Sequence, residues 1–372
     1  MPLTVPFKVN RNLKAALADQ VADGFKHAIR CGYYKSGEVL PTVRDLSLTL
    51  GVSVRITAQA VKILSRDGFI SSRPRLGSVV RERNGKNWKG SVVLVFPESF
   101  GNYHAELSCR VQQALTKAGY ACMQALVPGM AKGGKGCRYD ISSLKFIIGY
   151  HVDFVILFFD CPAAARILHQ HGISYAMVGC KDKSSPGCVG NIGFDFYSAA
   201  ESFVRCCCNT NIKSVVQICK GGAEFSLVRH LSKAGIKVTV KKVKTSKDGQ
   251  RGRLWNLQQA TIDLFRKWQI GESFEWPDLI YVTDDYVASA ALLAFEHLRV
   301  QIPRDVKLVV FSNRGFGPVA WQSLARIEND AREHGAVVSE GVLEYLASGI
   351  FPRGLRLNAS FVAGESFPLY TL

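Results

Sequence analysis

The chain has eleven cysteines in 372 residues but no Cys-x-x-Cys pair, so the common zinc and dithiol arrangements are missing. The run Cys206-Cys207-Cys208 has no histidine near it, and adjacent side chains point in different directions, so no metal site is expected there. An odd number of cysteines in apolar or helical contexts fits buried thiols in a reducing cytoplasm. No charged-then-apolar leader opens the chain, and no apolar run reaches the ~20 residues that span a bilayer, so neither export nor membrane insertion is expected. The Gly-x-x-x-x-Gly-Lys-Ser/Thr loop, the Gly-x-Ser-x-Gly elbow and His-Glu-x-x-His are all absent, which argues against phosphoryl-transfer, hydrolase and zinc-protease chemistry. His169 and His171 lie two apart at a helix end, where their rings do not share a face. No cofactor, metal or catalytic residue is expected.

Acidic residues are scarce beside basic ones, 30 against 47, for a formal charge of +17. The imbalance is uneven: residues 1–90 hold 16 Lys and Arg against 6 Asp and Glu, and the remaining 282 hold 31 against 24. That concentration suits a phosphate-binding surface at the N-terminus. The length exceeds one typical domain, and 47% hydrophobic content is ample for two or three cores.

Leu13, Leu17, Val21, Phe25 and Ile29 recur at four-residue steps, which predicts an amphipathic helix over about 10–30 that Gly32 and Gly37 break. Thr42 with Asp45 resembles a capping box, Pro41 closes the preceding turn, and a short helix follows over 43–50. Gly51 supplies a turn, Ser53 an N-cap, and a third helix runs to about Asp67 before Gly68. Its spacing turns Thr57, Ala60, Val61 and Leu64 inward and leaves Arg55, Ala58, Gln59 and Lys62 outward. Arg and Gln on the first turns of a helix suit bidentate contacts with guanine and adenine edges in the major groove. Residues 69–80 form two β-rich arms about a Pro-Arg-Leu-Gly turn. This is a wing beside a recognition helix, with Arg73, Arg75 and the Gly77 backbone in reach of phosphate or minor groove.

This segment resembles the GntR family of winged-helix regulators through Leu40-Pro41-Thr42, Arg44-Asp45-Leu46, Leu50-Gly51-Val52-Ser53, Gly68-Phe69-Ile70, Arg73-Pro74 and Gly77-Ser78. The resemblance implies that Arg44 contacts phosphate and that the start of the third helix reads bases. The expected DNA-binding set is Thr42, Arg44, Ser53, Arg55, Gln59, Lys62, Arg73, Arg75 and Gly77. Where the family has Arg after the Val-Ser pair this chain has Val54, with Arg displaced to Arg55, and Ile56 replaces a family hydroxyl. Its operator sequence is therefore not to be copied from relatives.

A polar, Gly-bearing stretch over 84–90 reads as a linker between residues 1–83 and the rest. Beyond it, strands and helices alternate: a strand over 91–96, a helix over 103–118, a strand over 122–127, a helix over 141–149, strand 154–159, helix 163–170 and strand 174–178. A second series follows with helix 197–208, strand 214–218, a helix closed by Gly235, strand 237–242, helix 257–268, strand 279–282, helix 288–298 and strand 307–311. The fold class is α/β, a winged helix-turn-helix followed by two lobes of parallel β/α units. The lobes are expected over about 91–192 with 325–350, and 193–324 with 351–372. Clefts at the carboxyl ends of such strands bind small molecules. Ser99, Phe100, Asp160, Asp195, Trp255, Asp284, Asp285 and Asn313 fall at such positions or can stack on a ligand, and carboxylates there suit hydroxyl-rich molecules such as sugars.

Residues 91–372 resemble the effector domain of the LacI/GalR family, which has a periplasmic-binding-protein fold, most clearly through Pro277 to Asp285, Ala288, Ile302-Pro303-Arg304-Asp305-Val306 and Ala363-Gly364-Glu365-Ser366. The departures cluster where a ligand would sit: Asp284 stands for the family's Asn, Ser312 for its Asp, and Gln322 to Arg326 for its Pro-x-Leu-Thr-Thr. The joining of the two domains resembles arabinose-responsive GntR-type repressors. The resemblance implies a cytoplasmic homodimer that binds double-stranded operator DNA, represses transcription and is released by a carbohydrate effector. Two alternatives remain at this point: an effector-blind DNA-binding dimer with a degenerate sensor, and an enzyme domain fused to a DNA-binding module. For the last, no Lys-centred pyridoxal-phosphate motif is seen.

Overall fold

A computed structural model describes residues 5–13, 15–30, 32–73, 77–81, 88–97, 101–130, 138–148, 152–180, 186–220, 227–244, 253–269 and 275–368. The chain divides into two compact units, Met1–Gly193 with Gly335–Leu355, and Phe194–His334 with Arg356–Leu372.

The first unit opens with three helices, α1 (Leu17–Arg30), α2 (Val43–Leu50) and α3 (Val54–Arg66), and a hairpin of β1 (Ile70–Arg73) and β2 (Gly77–Val80). Helix α1 begins at Leu17 rather than near Asn10. The Asn10 side chain accepts from the Asn12 amide at 3.0 Å, and Gln20 Oε1 accepts from the Asn10 amide at 3.0 Å. Such local bonds compete with helix and hold the preceding residues as an arm. The hairpin pairs antiparallel from Ile70↔Val80 to Arg73↔Gly77, and Val39 adds a bridge to Val79. Val21, Phe25, Leu40, Leu46, Ala60, Leu64, Phe69 and Val80 form the core of this domain.

The rest of the unit alternates strands and helices: β3 (Gly90–Pro97), α4 (Asn102–Lys117), β4 (Tyr120–Val127), a ribbon of β5 (Gly129–Met130) and β6 (Arg138–Tyr139), α5 (Ser142–Ile148), β7 (Phe154–Leu157), α6 (Pro162–Gln170), β8 (Ser174–Val178) and β9 (Cys188–Asp195). The ribbon β5–β6 and strand β9 were not anticipated from the sequence. The strands lie in the order β4-β3-β7-β8-β9 and pair in parallel. This is a doubly wound sheet whose order reverses between β3 and β7. Phe158 lies just past β7, where its ring stacks on Phe96 at 4.2 Å between centroids.

The second unit repeats the plan with α7 (Tyr197–Asn209), β10 (Ser214–Cys219), α8 (Leu227–Lys233), β11 (Lys237–Lys242), α9 (Arg253–Gln269), β12 (Leu279–Val282), α10 (Asp285–His297), β13 (Lys307–Asn313) and β14 (Ala325–Asn329). Helix α11 (Ala331–Ser348) passes from this unit to the first, and β15 (Arg356–Val362) belongs to the second. Strand order is β11-β10-β12-β13-β14-β15, parallel except for β15, which runs antiparallel to β14. The sheet is buried on both faces: Val215, Tyr281 and Val309 meet α7 and α8, while Val216, Ile280, Val282 and Val310 meet α9 and α10.

Strand β14 moves one boundary of the sequence reading. Residues 325–329 were expected to begin the return to the first lobe. They pair with β13 from Val309↔Ala325 to Asn313↔Asn329 and with β15 on the other side, so the crossing comes inside α11, between His334 and Gly335. Residues 351–355 likewise belong to the first unit.

Candidate nucleic-acid interface and ligand site

Helix α2 starts at Thr42, whose hydroxyl accepts from the Asp45 amide at 3.2 Å and donates to Asp45 Oδ2 at 2.6 Å. The Asp45 carboxylate thus closes on the Thr42 hydroxyl, where the longer side chain of a capping box would reach the backbone amide of the cap residue. Gly51 ends the helix in the left-handed region at φ 63°, with its amide bonded back to Leu48 and Ser47 carbonyls. A side chain would strain this turn, and glycine removes that cost. Two residues later Ser53 caps α3, accepting from the Ile56 amide at 3.3 Å.

The burial of α3 follows its spacing. Thr57, Ala60 and Leu64 are buried against the core, Val61 and Ala58 are half-buried, and Arg55, Gln59 and Lys62 are exposed. Thr42, Arg44 and Ser53 are exposed as well, so both helix starts carry polar groups to solvent. Gly77 opens β2 at φ 82°, exposed. Arg73 ends β1, its side chain outside the described residues, and Arg75 lies outside them altogether.

Sequence reasoning missed what fixes this domain internally. Lys26 is almost fully buried, with its ammonium 2.9 Å from Asp67 Oδ2 and 3.1 Å from Asp23 Oδ1. Asp67 caps the end of α3. Burial opposes its charge, but hydrogen bonds from Arg66 and Lys26 prevail and hold its pKa below the usual carboxylate range. The signal was present: Lys26 follows Phe25 and lies four residues after Ala22, on the inner stripe of α1.

Asp153 was also not anticipated. It precedes β7 and accepts from the Ser91 amide at 2.7 Å and the Ser91 hydroxyl at 3.3 Å. The same carboxylate faces α1, 3.4 Å from His27 Nδ1 and 3.8 Å from Arg30 Nη1. Arg30 in turn lies over the Phe69 ring at 5.3 Å. A cavity of about 600 Å³ adjoins this contact, lined by Lys8, Leu13, Lys26 and Arg30 on one side and Asp153, His169, His171 and Ser174 on the other.

In the second unit, strand order reverses between β10 and β12, and the loop after β12 carries Asp284 and Asp285. Asp284 caps α10, accepting from the Tyr286 amide at 3.0 Å and the Val287 amide at 3.1 Å. Asp285 accepts from Asn313 Nδ2 at 3.0 Å, which joins the ends of β12 and β13. Burial pushes the Asp285 carboxyl up, against the Asn313 hydrogen bond and with help from the Asp284 charge. Asp195 accepts from the Tyr197 amide at 2.8 Å at the start of α7.

The structure therefore brings Asp284, Asp285 and Asn313 together and spends much of Asp284 and Asp195 on helix starts. Asp160 is exposed after β7 in the first unit. Ser99 and Phe100 lie outside the described residues, and Trp255 sits in α9 with its side chain outside them. A second cavity of about 350 Å³ is lined by Ser312, Arg314, Gln322, Arg326 and Glu328, with Arg326 Nε 2.6 Å from Glu328 Oε2. Among the described residues, neither cavity is lined by Asp160, Asp195, Asp284, Asp285 or Asn313. Among the described residues, no cluster of His, Cys, Asp and Glu fits a metal ion, and no helix is long and apolar enough to cross a membrane.

A capped helix-turn-helix with a wing, followed by two doubly wound α/β units, defines a winged helix joined to a periplasmic-binding-protein-like body. The gntR family of bacterial regulatory proteins matches residues 17–80, and the periplasmic binding protein-like domain matches residues 224–367. The chain thus carries a GntR-type helix-turn-helix and a periplasmic-binding-protein-like domain. An uncharacterized HTH-type transcriptional regulator of Escherichia coli is 28% identical over 133 residues, 36% of this chain and 56% of that protein. An HTH-type transcriptional regulator of Mycobacterium tuberculosis is 36% identical over 78 residues, 21% of this chain and 61% of that protein. The chain therefore spans between half and two thirds of the curated relatives it matches. A LacI family transcriptional regulator from an Arthrobacter species, solved in complex with lactose, shares the fold with TM-score 0.57 at 18% identity over 75% of this chain and all of that one. These relatives are regulators of transcription rather than enzymes.

Proposed function

We propose that this protein is a transcriptional regulator that binds operator DNA through α3 and the wing and is controlled by a small-molecule effector, a carbohydrate, held by the α/β body. The observation that carries the DNA half is the exposed row Arg55, Gln59 and Lys62 on a helix capped at Ser53, in a domain that matches the gntR family. Arg44 and Thr42 at the start of α2, with Arg73, Arg75 and Gly77 at the wing, supply phosphate contacts around that row.

The carbohydrate half rests on Asp284, Asp285 and Asn313 at the reversal of strand order, where open α/β sheets take ligands, and on the likeness in fold to a regulator solved with lactose. Asp285 and Asn313 already bond each other, and together they offer an acceptor and a donor of the kind a sugar hydroxyl pair needs. Asp160, Asp195, Ser99, Phe100 and Trp255 stay in this proposal as further contacts. The protein acts as a homodimeric repressor in the cytoplasm, with two half-sites on DNA set by the dimer.

One observation favours a second reading, an effector-blind DNA-binding dimer: Asp284 and Asp195 accept backbone amides at helix starts, which leaves fewer carboxylate lone pairs for a ligand. A thermal-shift screen of the full chain against pentoses, hexoses, uronic acids, deoxy sugars and short oligosaccharides separates the two. A sugar at 100 times its dissociation constant stabilises the native state by roughly 2.7 kcal/mol. A selective hit that disappears in Asp285→Ala supports the sensor, and no shift across the panel supports the effector-blind dimer.

A further inference from the structure

We infer that Arg11, on the arm ahead of the helix-turn-helix, adds a DNA-phosphate contact beside the recognition helix. This rests on the DNA-binding reading above and adds a residue outside the segment that matches the gntR family, which begins at residue 17.

The arm is held in place along its length. Phe7 packs edge-on against Phe25 with ring centroids 5.1 Å apart. The Asn10 amide donates to Gln20 Oε1 at 3.0 Å, and the Asn12 amide to Asn10 Oδ1 at 3.0 Å. These contacts deliver Arg11 to the turn between α2 and α3, where Arg11 Nη2 donates to the Gly51 carbonyl at 2.6 Å.

The location gives the contact its use. Gly51 lies two residues before Ser53 and four before Arg55, so the guanidinium is anchored within two or three residue lengths of the start of the reading face. Gly51, Ser53, Val54, Arg55 and Arg11 are all exposed. A guanidinium has five N–H donors in a planar fork. One is spent on Gly51, and Arg11 makes no ion pair among the described residues, so the rest of the fork and the full charge are free for an anion. An arginine already fixed by one hydrogen bond loses less freedom when a phosphate arrives. The nearest anion to a recognition helix seated in the major groove is the flanking phosphodiester.

A purely structural role is the competing account, because an arginine on the carbonyl of Gly51, the residue that ends α2, also braces the turn after that helix. Charge separates the two. The full-length chain is titrated against a fluorescein-labelled random-sequence 30-bp duplex by anisotropy at several salt concentrations, with Arg11→Gln, Arg11→Lys and Arg11→Ala alongside. Arg11→Gln keeps a donor for Gly51 and removes the charge, whereas Arg11→Lys keeps the charge. One lost phosphate contact flattens the slope of log K against log salt by about 0.9. Arg11→Gln and Arg11→Ala are expected to show that change and to bind about three- to tenfold more weakly near 0.1 M salt, while Arg11→Lys holds the slope of the unaltered chain. An unchanged slope and affinity in Arg11→Gln would overturn the inference while leaving the DNA-binding reading standing. A loss in Arg11→Lys equal to that in Arg11→Ala would do the same in favour of the brace. No duplex binding by the unaltered chain would overturn both.

Discussion

The Lys26 ammonium lies 2.9 Å from Asp67 Oδ2, and this pair, buried at the Lys26 end, ties α1 to the C-terminal cap of α3. Lys26 also lies near the Phe69 ring, 6.0 Å from its centroid, at the entry to the wing. Removing the Lys26 charge leaves Asp67 partly exposed and still 2.9 Å from Arg66 Nε, so the loss is smaller than for a fully buried pair. Lys26→Met is therefore expected to destabilise the winged-helix domain by about 1 to 2 kcal/mol. The double variant Lys26→Met with Asp67→Leu is expected to recover most of that loss. Denaturant unfolding followed by far-UV circular dichroism checks both, and equal stability of Lys26→Met and the unaltered protein would contradict the assignment.

Arg55 and Arg44 differ in what their loss should do to DNA binding. Arg55→Ala is expected to cost about 1 to 3 kcal/mol on the specific site and to relax its sequence preference, because Arg55 stands on the exposed row of α3. Arg44→Ala is expected to weaken specific and random duplexes alike and to flatten the salt slope by about one. Anisotropy titrations on both duplexes decide the matter, and an equal loss on the two for Arg55→Ala removes it as a base reader.

Burial raises the pKa of Asp285 in the folded protein, so the folded state binds this proton more tightly than the unfolded chain. The stabilisation from Asp285 is present below the ordinary carboxylate range and is lost as pH rises through the raised folded value. At pH 7 the ionised group is a cost. Asp285→Asn keeps an acceptor for Asn313 and removes that charge, and it is expected to raise the melting temperature at pH 7 by about 2 °C. The gain should shrink toward pH 4, and a melting temperature lowered at pH 7 would contradict this account.

His334 shifts the other way. Burial lowers its pKa, outweighing the hydrogen bond between Nε2 and the Asn358 carbonyl at 2.8 Å and the nearby Asp330 and Glu333 charges. A depressed folded value means that stability present above the ordinary histidine range is lost as pH falls toward that folded value. His334→Gln keeps a donor for Asn358 and cannot take up a proton. Its melting temperature should fall less between pH 7.5 and pH 5.5 than that of the unaltered protein, by about 2 °C. Equal falls would show that His334 does not titrate in this range.

Much of the winged-helix domain was legible because its signals are local. Gly51 and Gly68 mark helix ends through positive φ, Ser53 and Thr42 mark starts through their hydroxyls, and the spacing from Thr57 to Leu64 sorts the faces of α3. Most strands and helices from β3 to β13 were legible for the same reason, as apolar runs alternating with periodic stretches, but the short ribbon β5–β6 and strand β9 were not. Elements fixed by distant partners were not. Strand β14 is short, and its place depends on β13 and β15. The start of α1 was overread because Leu13 keeps the apolar spacing while Asn10 and Gln20 bond the backbone ahead of it. At the strand ends, residue type located Asp284, Asp285 and Asn313, but which carboxylate serves a helix start and which meets a side chain depends on the folded geometry. Asp153 facing α1 from a site 123 residues beyond Arg30 in the chain carries no local signal.

In the proposed function, α3 and the wing read a defined DNA sequence. Selection of bound molecules from a randomised duplex library by the 372-residue chain is the decisive experiment. One motif with two related half-sites is expected to be enriched, and that enrichment is expected to be lost at defined positions in Arg55→Ala. A bound pool no different from the input library would contradict that reading.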